Sequence, residues 1–275
     1  MNRQIFDKNF MKRLFFVFLF GVASWLVSNA QQTGGMQWRL GLGSGLGVGV
    51  YRDLGAAPVV YRGFELSPAV SLEASDDMWR YDGSIALCGG GYGYVLRPAA
   101  LHTWGGQLSA RFDVLRHFAD WGPLRIWAGA GVGDMFDIRY NPLLANACVG
   151  MSNFAVLSLS TRAEMNVRRW MFYGQMSVLP VALMLRPGFS YLNNYDREIA
   201  NPLSAAFDQY RTYLTALPGV STRFGVVRWL KSGNGISLSY DWHYLTSRVS
   251  GRENVAPWRM QQASHGLTLQ LLFSL

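Results

Sequence analysis

Apolar and polar residues alternate along most of this chain with the period of two that a β-strand requires. In the segment Trp38–Tyr51, glycines occupy every second position from Gly41 to Gly49, and leucine, valine and one serine fill the positions between them. Eight further segments alternate in the same way and a ninth, 84–96, does so less regularly; the eight cover 60–72, 103–114, 125–132, 155–167, 172–178, 220–226, 236–244 and 267–275. The pattern predicts an all-β protein of ten strands, with eight or twelve as the alternatives.

The glycine row also bears on one class of binding site. Phosphate-binding loops place glycines at uneven offsets, such as G-x-G-x-x-G, because a tight turn must lead directly into a helix. The even spacing from Gly41 to Gly49 does not fit such a loop. It predicts a strand that carries no side chains on one face. Such a strand suits a place where there is little room for side chains, or where a sheet bends as it closes into a barrel. A disordered glycine-rich linker is the alternative, although linkers lack the apolar alternation.

The N-terminal segment resembles an export signal in its order of charge and hydropathy. Basic residues between positions 3 and 13 precede the apolar run Leu14–Val27, and Ser28-Asn29-Ala30 then offers small residues for cleavage. The apolar run is shorter than the roughly 20 residues that a membrane-spanning helix needs. We therefore expect a signal peptide at 1–30, cleaved after Ala30, and a mature domain at 31–275.

The lengths of the alternating runs and of their connections predict a transmembrane barrel. Many runs exceed the five or six residues usual for soluble strands and suit strands that cross a membrane at a tilt. Short connections at 118–122, 167–170 and 231–235 alternate with longer ones at 140–152, 186–218 and 250–261. Short periplasmic turns and long outer loops are typical of antiparallel transmembrane β-barrels.

The signal, the ten amphipathic strands and the ending HGLTLQLLFSL together resemble the small outer-membrane β-barrel proteins common in Bacteroidota-type bacteria. The resemblance covers the whole mature chain and implies residence in the bacterial outer membrane. It also implies recognition of the last strand by the barrel-assembly machinery, through alternating apolar residues from Leu267 to Phe273. The chain departs from the pattern at Leu275, where an aromatic residue is commonest. The resemblance implies no catalytic residue and no substrate.

A ten-stranded barrel is narrow, so charged residues on the inward faces must share a small space. We predict that they form a paired network in the lumen, with a narrow permeation path as the alternative. The predicted members of this network are Glu65, Arg111, Asp113, Arg162, Glu164 and Arg223. Arg162 and Glu164 lie two residues apart on one face and can interact directly.

The charge of the mature chain comes almost entirely from arginine, since Lys231 is the one lysine after residue 30. Arginine makes bidentate contacts with phosphate and carboxylate groups. The abundance of arginine fits contact with outer-membrane lipid and anionic glycolipid. The alternative is that the arginines form salt bridges in the lumen and that the source organism favours arginine in its proteins. In an exported barrel, the basic charge does not indicate nucleic acid as a partner.

Asp241 and His243 share one strand face in the segment YDWHY and are the candidate catalytic residues, able to orient and activate a water or a serine. Their spacing is similar to the Asp-x-His of omptins, which are ten-stranded outer-membrane proteases. Omptins also use a second acid pair across the cleft, whereas Asp76 and Asp77 are adjacent here and fall in a predicted turn. In omptins several strands follow the Asp-x-His, whereas only one follows here.

Other polar residues are also candidates for sites of chemistry. Ser264 and His265 suggest a lipid hydrolase, but neighbours in a strand point in opposite directions and cannot form a dyad. His102 and His117 fit positions near strand ends better than a metal site, and we expect no metal and no cofactor. Cys88 and Cys148 could pair in an oxidising compartment or remain free thiols.

The long segment 186–218 is predicted to be an extracellular loop that contains a helix. Asn201 suits a cap, Pro202 suits a first turn, and apolar residues then recur at helical spacing, namely Leu203, Phe207, Tyr210 and Leu214. Such a loop could act as a lid, a plug or a docking surface for a surface protein.

These features favour a non-enzymatic role as a structural, interaction or narrow small-solute transport component of the outer membrane. The alternative is an outer-membrane hydrolase of lipid or peptide that uses Asp241 and His243. Conductance would identify a transport protein, and dependence of turnover on either residue would identify the hydrolase.

Overall fold

The computed structural model describes residues 35–53, 57–94, 97–141, 149–187, 210–249 and 258–275. The compact unit Trp38–Leu275 contains the barrel. The predicted signal peptide, Cys148 and the first part of the predicted helical segment lie outside the described residues.

Ten antiparallel strands form one closed barrel, which confirms the predicted fold class. The strands are β1 (Gln37–Asp53), β2 (Ala57–Ser75), β3 (Trp79–Tyr94), β4 (Arg97–Trp121), β5 (Leu124–Tyr140), β6 (Val149–Val167), β7 (Trp170–Pro187), β8 (Tyr210–Trp229), β9 (Gly235–Val249) and β10 (Trp258–Ser274). Each strand neighbours the next along the chain, and β1 pairs with β10 to close the ring. No helix of the described residues is long and apolar enough to span a membrane.

The two faces of the wall differ as the alternation predicts. Large apolar side chains point away from the barrel and are exposed, for example Leu46 at 70% and Phe64 at 81% of their surface. The glycine row of β1 faces inward, where a Cβ atom at Gly49 would lie 2.0 Å from Oε1 of Glu65. Glycine is therefore required there because a charged side chain of the next strand packs against the backbone. An apolar outside and a polar inside are the arrangement of a membrane barrel.

The two ends of the barrel have different connections. At the end that holds the start of β1 and the end of β10, residues 76–78, 122–123, 168–169 and 230–234 connect the strands. Gly122 has a φ of 60° and Gly233 a φ of 86°, so these tight turns use the backbone freedom of glycine. We call this the turn end and the opposite end, which has the longest connections, the outer end.

The segment 186–218 differs from its prediction. Strand β7 continues to Pro187 and β8 begins at Tyr210, so the connection is shorter than predicted. Tyr210 and Leu214, which were assigned to a helix, lie on β8, where Leu214 is paired with Leu183 and is 75% exposed. Strand pairing with β7 therefore overrides the local helical spacing at these two residues, because it satisfies the backbone polar groups of both strands.

Candidate functional site

The turn-end half of the lumen is organised around Arg80 of β3, which is only 2% exposed. Its guanidinium contacts the carboxylates of Glu73, Asp82 and Glu164, each at 2.9 Å. Glu164 also accepts a hydrogen bond from Nε of Arg162 at 2.5 Å. The cluster therefore neutralises buried charges contributed by β2, β3 and β6.

A second cluster lies farther along the same lumen. Arg111 of β4 forms an ion pair with Asp113 of the same strand at 2.5 Å. Nη2 of Arg111 donates to Ser160 at 3.0 Å and to Ser177 at 2.5 Å. Asp113 accepts from Ser160 at 2.9 Å, so serines on β6 and β7 join both partners of the ion pair.

The outer half of the lumen separates into an aromatic side and an aliphatic side. Tyr51 stacks on Tyr61 with ring centroids 4.9 Å apart and meets Tyr92 edge-on at 5.2 Å. Arg139 lies 3.9 Å from the centroid of Tyr51, and the Tyr92 hydroxyl donates to Glu65. The aliphatic side consists of Leu179, Met184, Leu245 and Met260, which are buried and form one cluster with the ring of Phe154.

Side chains from distant strands meet across the lumen at three levels. Arg80 of β3 reaches Glu164 of β6 near the turn end, and Nη1 of Arg111 on β4 reaches Ser221 of β8 at 3.4 Å. Nearer the outer end, Gln262 of β10 accepts from Arg139 of β5 at 3.2 Å. It also donates to Gln107 of β4 at 3.2 Å. Strands β5 and β10 are opposite each other in the ring, so these bonds span the full lumen.

A cavity of about 340 Å³ remains between these clusters. Its polar lining combines the charged groups of these clusters with many hydroxyl groups, including those of Ser67, Ser84, Ser109, Ser158, Ser177, Ser221, Ser237 and Ser264. Arg223 also lines the cavity, and its side chain is 49% exposed although it points inward. The volume is suited to a few water molecules or a small solute rather than to a large substrate.

The candidate catalytic residues Asp241 and His243 both line this cavity, but each is bonded to a different partner. The carboxylate of Asp241 forms an ion pair with Arg223 and accepts from Ser239 at 2.9 Å. His243 instead contacts Oγ of Ser264, which lies 2.9 Å from Nδ1 and 3.3 Å from Nε2. The structure thus brings together a serine and a histidine, while the aspartate is held by an arginine.

Ser264 and Arg80 are among the lumen residues that the sequence patterns did not assign to a site. Ser264 was considered only with its neighbour His265, whereas its partner is His243, the residue paired with it in the register of β9 and β10. Arg80 lies before the segment assigned to the third strand. The alternation from Ser84 back to Asp82 and Arg80 is the signal that places it on the inward face.

The remaining polar candidates lie elsewhere. Asp76 accepts from the backbone nitrogens of Met78 at 2.7 Å and Trp79 at 2.6 Å, so it stabilises the turn between β2 and β3. His117 contacts Asp120 at 3.0 Å at the turn end. The side chain of His102 lies outside those that the structure describes.

Cys88 is a free thiol that lines the cavity. Among the residues described, no group of three or more histidine, cysteine, aspartate or glutamate side chains is placed to hold a metal ion.

No protein-family model and no curated protein matches this sequence. The structure is similar to that of the outer membrane protease OmpT from Escherichia coli, with a TM-score of 0.50 and 6% identity over 88% of this chain and 97% of that protein. The translocator domain of the autotransporter NalP from Neisseria meningitidis has a TM-score of 0.41 and 9% identity over 92% of this chain and 95% of that domain. At such identities, the likeness to OmpT shows the fold alone, which is that of a bacterial outer-membrane β-barrel.

Proposed function

We propose that this protein is a closed outer-membrane barrel that acts through its contacts with other envelope components rather than as a diffusion pore. In this proposal the segment 1–30 is a cleaved signal peptide, and the barrel-assembly machinery inserts the mature chain. The connection between β7 and β8, which lies within the predicted segment 186–218, is the proposed docking surface for a surface protein.

The observation that carries the proposal is the set of bonds across the lumen. Hydrogen bonds and ion pairs join β3 to β6, β4 to β8, and β10 to both β4 and β5. A permeating solute would have to separate these groups, and leaving buried charges without partners is costly. The bonds therefore close the lumen at three levels and leave only the small cavity between them, as expected of a narrow barrel whose strands serve as a membrane anchor.

Conductance in a planar bilayer tests the proposal. We expect the wild-type protein to show heat-modifiable migration on a gel, as a folded barrel does, and no discrete conductance steps. A triple substitution, Arg80→Ala with Arg111→Ala and Gln262→Ala, removes the bonds at all three levels and should produce measurable steps in protein that still shows heat-modifiable migration. The matched control replaces Gln261 instead of Gln262 beside the same two arginine substitutions, because Gln261 is next to Gln262 but faces away from the lumen.

Wild-type steps of the size produced by an open pore would refute the closed barrel. A folded triple variant that stays closed would show that these bonds do not block the lumen. We expect smaller conductance steps in the control variant than in the triple variant, since the control retains the bonds of Gln262 to Arg139 and Gln107.

A hydrolase is the second candidate, and the contact between Ser264 and His243 favours it. The serine hydroxyl could attack a carbonyl carbon while the imidazole accepts its proton, and the same imidazole would return that proton to the leaving group. A screen with short-chain ester, phospholipid and peptide substrates would test this candidate. Turnover that disappears in Ser264→Ala, in a protein that still migrates as a folded barrel, would support it, whereas equal rates in both proteins would exclude it.

A further inference from the structure

Four exposed arginines point outward near the outer end on four adjacent strands. They are Arg62 of β2, Arg52 of β1, Arg259 of β10 and Arg248 of β9, and we call them the outer arginine arc. Each of them lies thirteen to fifteen residues from the turn end of its strand, so the four lie at one level around the barrel.

This level is just above the apolar part of the wall. A tilted strand rises about 2.5 Å per residue along the barrel axis, which places the arc about 35 Å from the turn end. The apolar band of such barrels is only about 25 Å tall. On β2, Arg62 is followed by the exposed Phe64 and Leu66, and on β1, Arg52 is preceded by Leu46 and other apolar residues. The arc therefore lies at the depth of lipid headgroups.

Two members of the arc are placed against each other. Arg248 and Arg259 are directly paired in the register of β9 and β10. Like charges directly opposite each other on neighbouring strands repel, so an anion between the two guanidinium groups would stabilise the arrangement. Gln261, which is paired with Arg52, donates to the Tyr244 hydroxyl at 2.9 Å and adds polar groups on the same outward face.

Among the described residues, no carboxylate forms an ion pair with the arc of the kind that the inward arginines have. None of the ion pairs between described residues includes Arg52, Arg62, Arg248 or Arg259. Guanidinium groups bind phosphate through two parallel hydrogen bonds, and this geometry favours arginine over lysine. The chemistry of the arc is thus that of a site for phosphate groups attached to a membrane lipid.

We infer that the outer arginine arc binds the phosphate groups of an anionic glycolipid in the leaflet around the outer end of the barrel. The inference rests on the proposed placement in the outer membrane. It adds a specific site, and the phosphate groups as the part of the glycolipid that is bound, to the proposed role in envelope contacts.

Titration with fluorescent diphosphorylated lipid A tests the inference on the full mature barrel folded in a neutral detergent. The test variant replaces the arc, as Arg52→Gln, Arg62→Gln, Arg248→Gln and Arg259→Gln. The matched control removes the same charge from exposed arginines at the turn end, as Arg116→Gln, Arg125→Gln, Arg169→Gln and Arg228→Gln. We expect the Kd to rise at least tenfold in the arc variant and to change less than twofold in the control.

Two further arms identify the source of the phosphate. Dephosphorylated lipid A should bind the wild-type protein at least tenfold more weakly, and inorganic phosphate at 10 mM should not displace the diphosphorylated lipid. Equal affinity of the wild-type and arc variants, or an equal loss in the control, would overturn the inference. Competition by inorganic phosphate at the arc would also overturn it in favour of a site for free phosphate.

Gel migration and conductance of the same preparations keep the two proposals separate. A folded, conducting barrel that binds lipid A through the arc would refute the closed lumen and leave the glycolipid site intact. A folded, non-conducting barrel without arc-dependent binding would refute the glycolipid site alone.

Discussion

The inward and outward arginines of this barrel show how one side chain is used in two environments. Arg80 and Arg162 face the lumen, are almost fully buried and contact carboxylates at 2.5 to 2.9 Å. Arg248 and Arg259 face outward, are exposed and are paired with each other across two strands. In the lumen, the partners of the arginines are carboxylates of the protein itself. On the outer surface, the inferred partners are phosphate groups of a membrane lipid. The comparison teaches that the partner of an arginine, and not its abundance, indicates its role.

The inward pairs share a simple local pattern. Arg80 contacts Asp82, Arg111 contacts Asp113 and Arg162 contacts Glu164, always two residues along the strand. Residues at this spacing lie on the same face of a strand, about 6.6 Å apart at their Cα atoms, and a long arginine side chain spans that distance. These three strands therefore bring their own counter-ions into the lumen, and ion pairs between strands, such as that of Arg223 with Asp241, complete the network.

The largest expected effect of a substitution is that of Arg80→Met, which leaves Glu73, Asp82 and Glu164 without their shared guanidinium. Removing one member of a buried ion cluster costs about 3–5 kcal/mol, so we expect the free energy of unfolding to fall by that amount. Urea titration of the protein in lipid vesicles, followed by tryptophan fluorescence, measures the change.

The control for this prediction is Arg116→Met. Arg116 is exposed on the outward face and lies over the ring of Trp79 at 5.9 Å. Its substitution should change the free energy of unfolding by about 0.5 kcal/mol or less. Equal losses in the two variants would break the distinction between inward and outward arginines.

A smaller loss is expected from Gly131→Ala on β5, because the inner wall has no room beside Asp113. The new Cβ would lie 2.2 Å from Oδ1 of Asp113 and 2.5 Å from the backbone oxygen of Phe112. Overpacking of this kind costs about 1–3 kcal/mol, measured by the same urea titration. Gly83→Ala is the matched control, since its Cβ would come no closer than 3.7 Å to another residue. A tolerated Gly131→Ala would show that the ion pair of Arg111 and Asp113 can shift.

The alternation in the sequence was enough to predict the strands and which residues share a face. It predicted ten strands and the contact between Arg162 and Glu164, because both follow from the period of two. It did not predict which strands meet across the lumen, since that depends on strand stagger and on closure of the ring. The contact between His243 and Ser264 was missed for a different reason, because these residues lie on the neighbouring strands β9 and β10. The length of the connection between two strands does not fix the register in which they pair, so the sequence did not predict this contact.

Ser264→Ala should have a modest effect because its contact with His243 is a single hydrogen bond of 2.9 Å at the edge of the cavity. A hydrogen bond of this type contributes about 1 kcal/mol, so the free energy of unfolding should fall by about that amount. Thr268→Val, on the same strand and also lining the cavity, serves as the comparison. A loss as large as that of Arg80→Met would mean that the serine belongs to the structural network of the lumen.

The smallest expected change in the free energy of unfolding is that of Arg248→Gln. The sign of this change is the sharpest test of the difference between inward and outward arginines. In detergent without glycolipid, the substitution removes the repulsion between Arg248 and Arg259, so the free energy of unfolding should rise by a few tenths of a kcal/mol. With diphosphorylated lipid A present, the wild-type protein gains binding energy that the variant lacks, and the order of the two stabilities should reverse. An inward arginine cannot show such a reversal, since its anions are part of the protein. A variant that is less stable than the wild type in both conditions would show that Arg248, like Arg80, already has its partner within the chain.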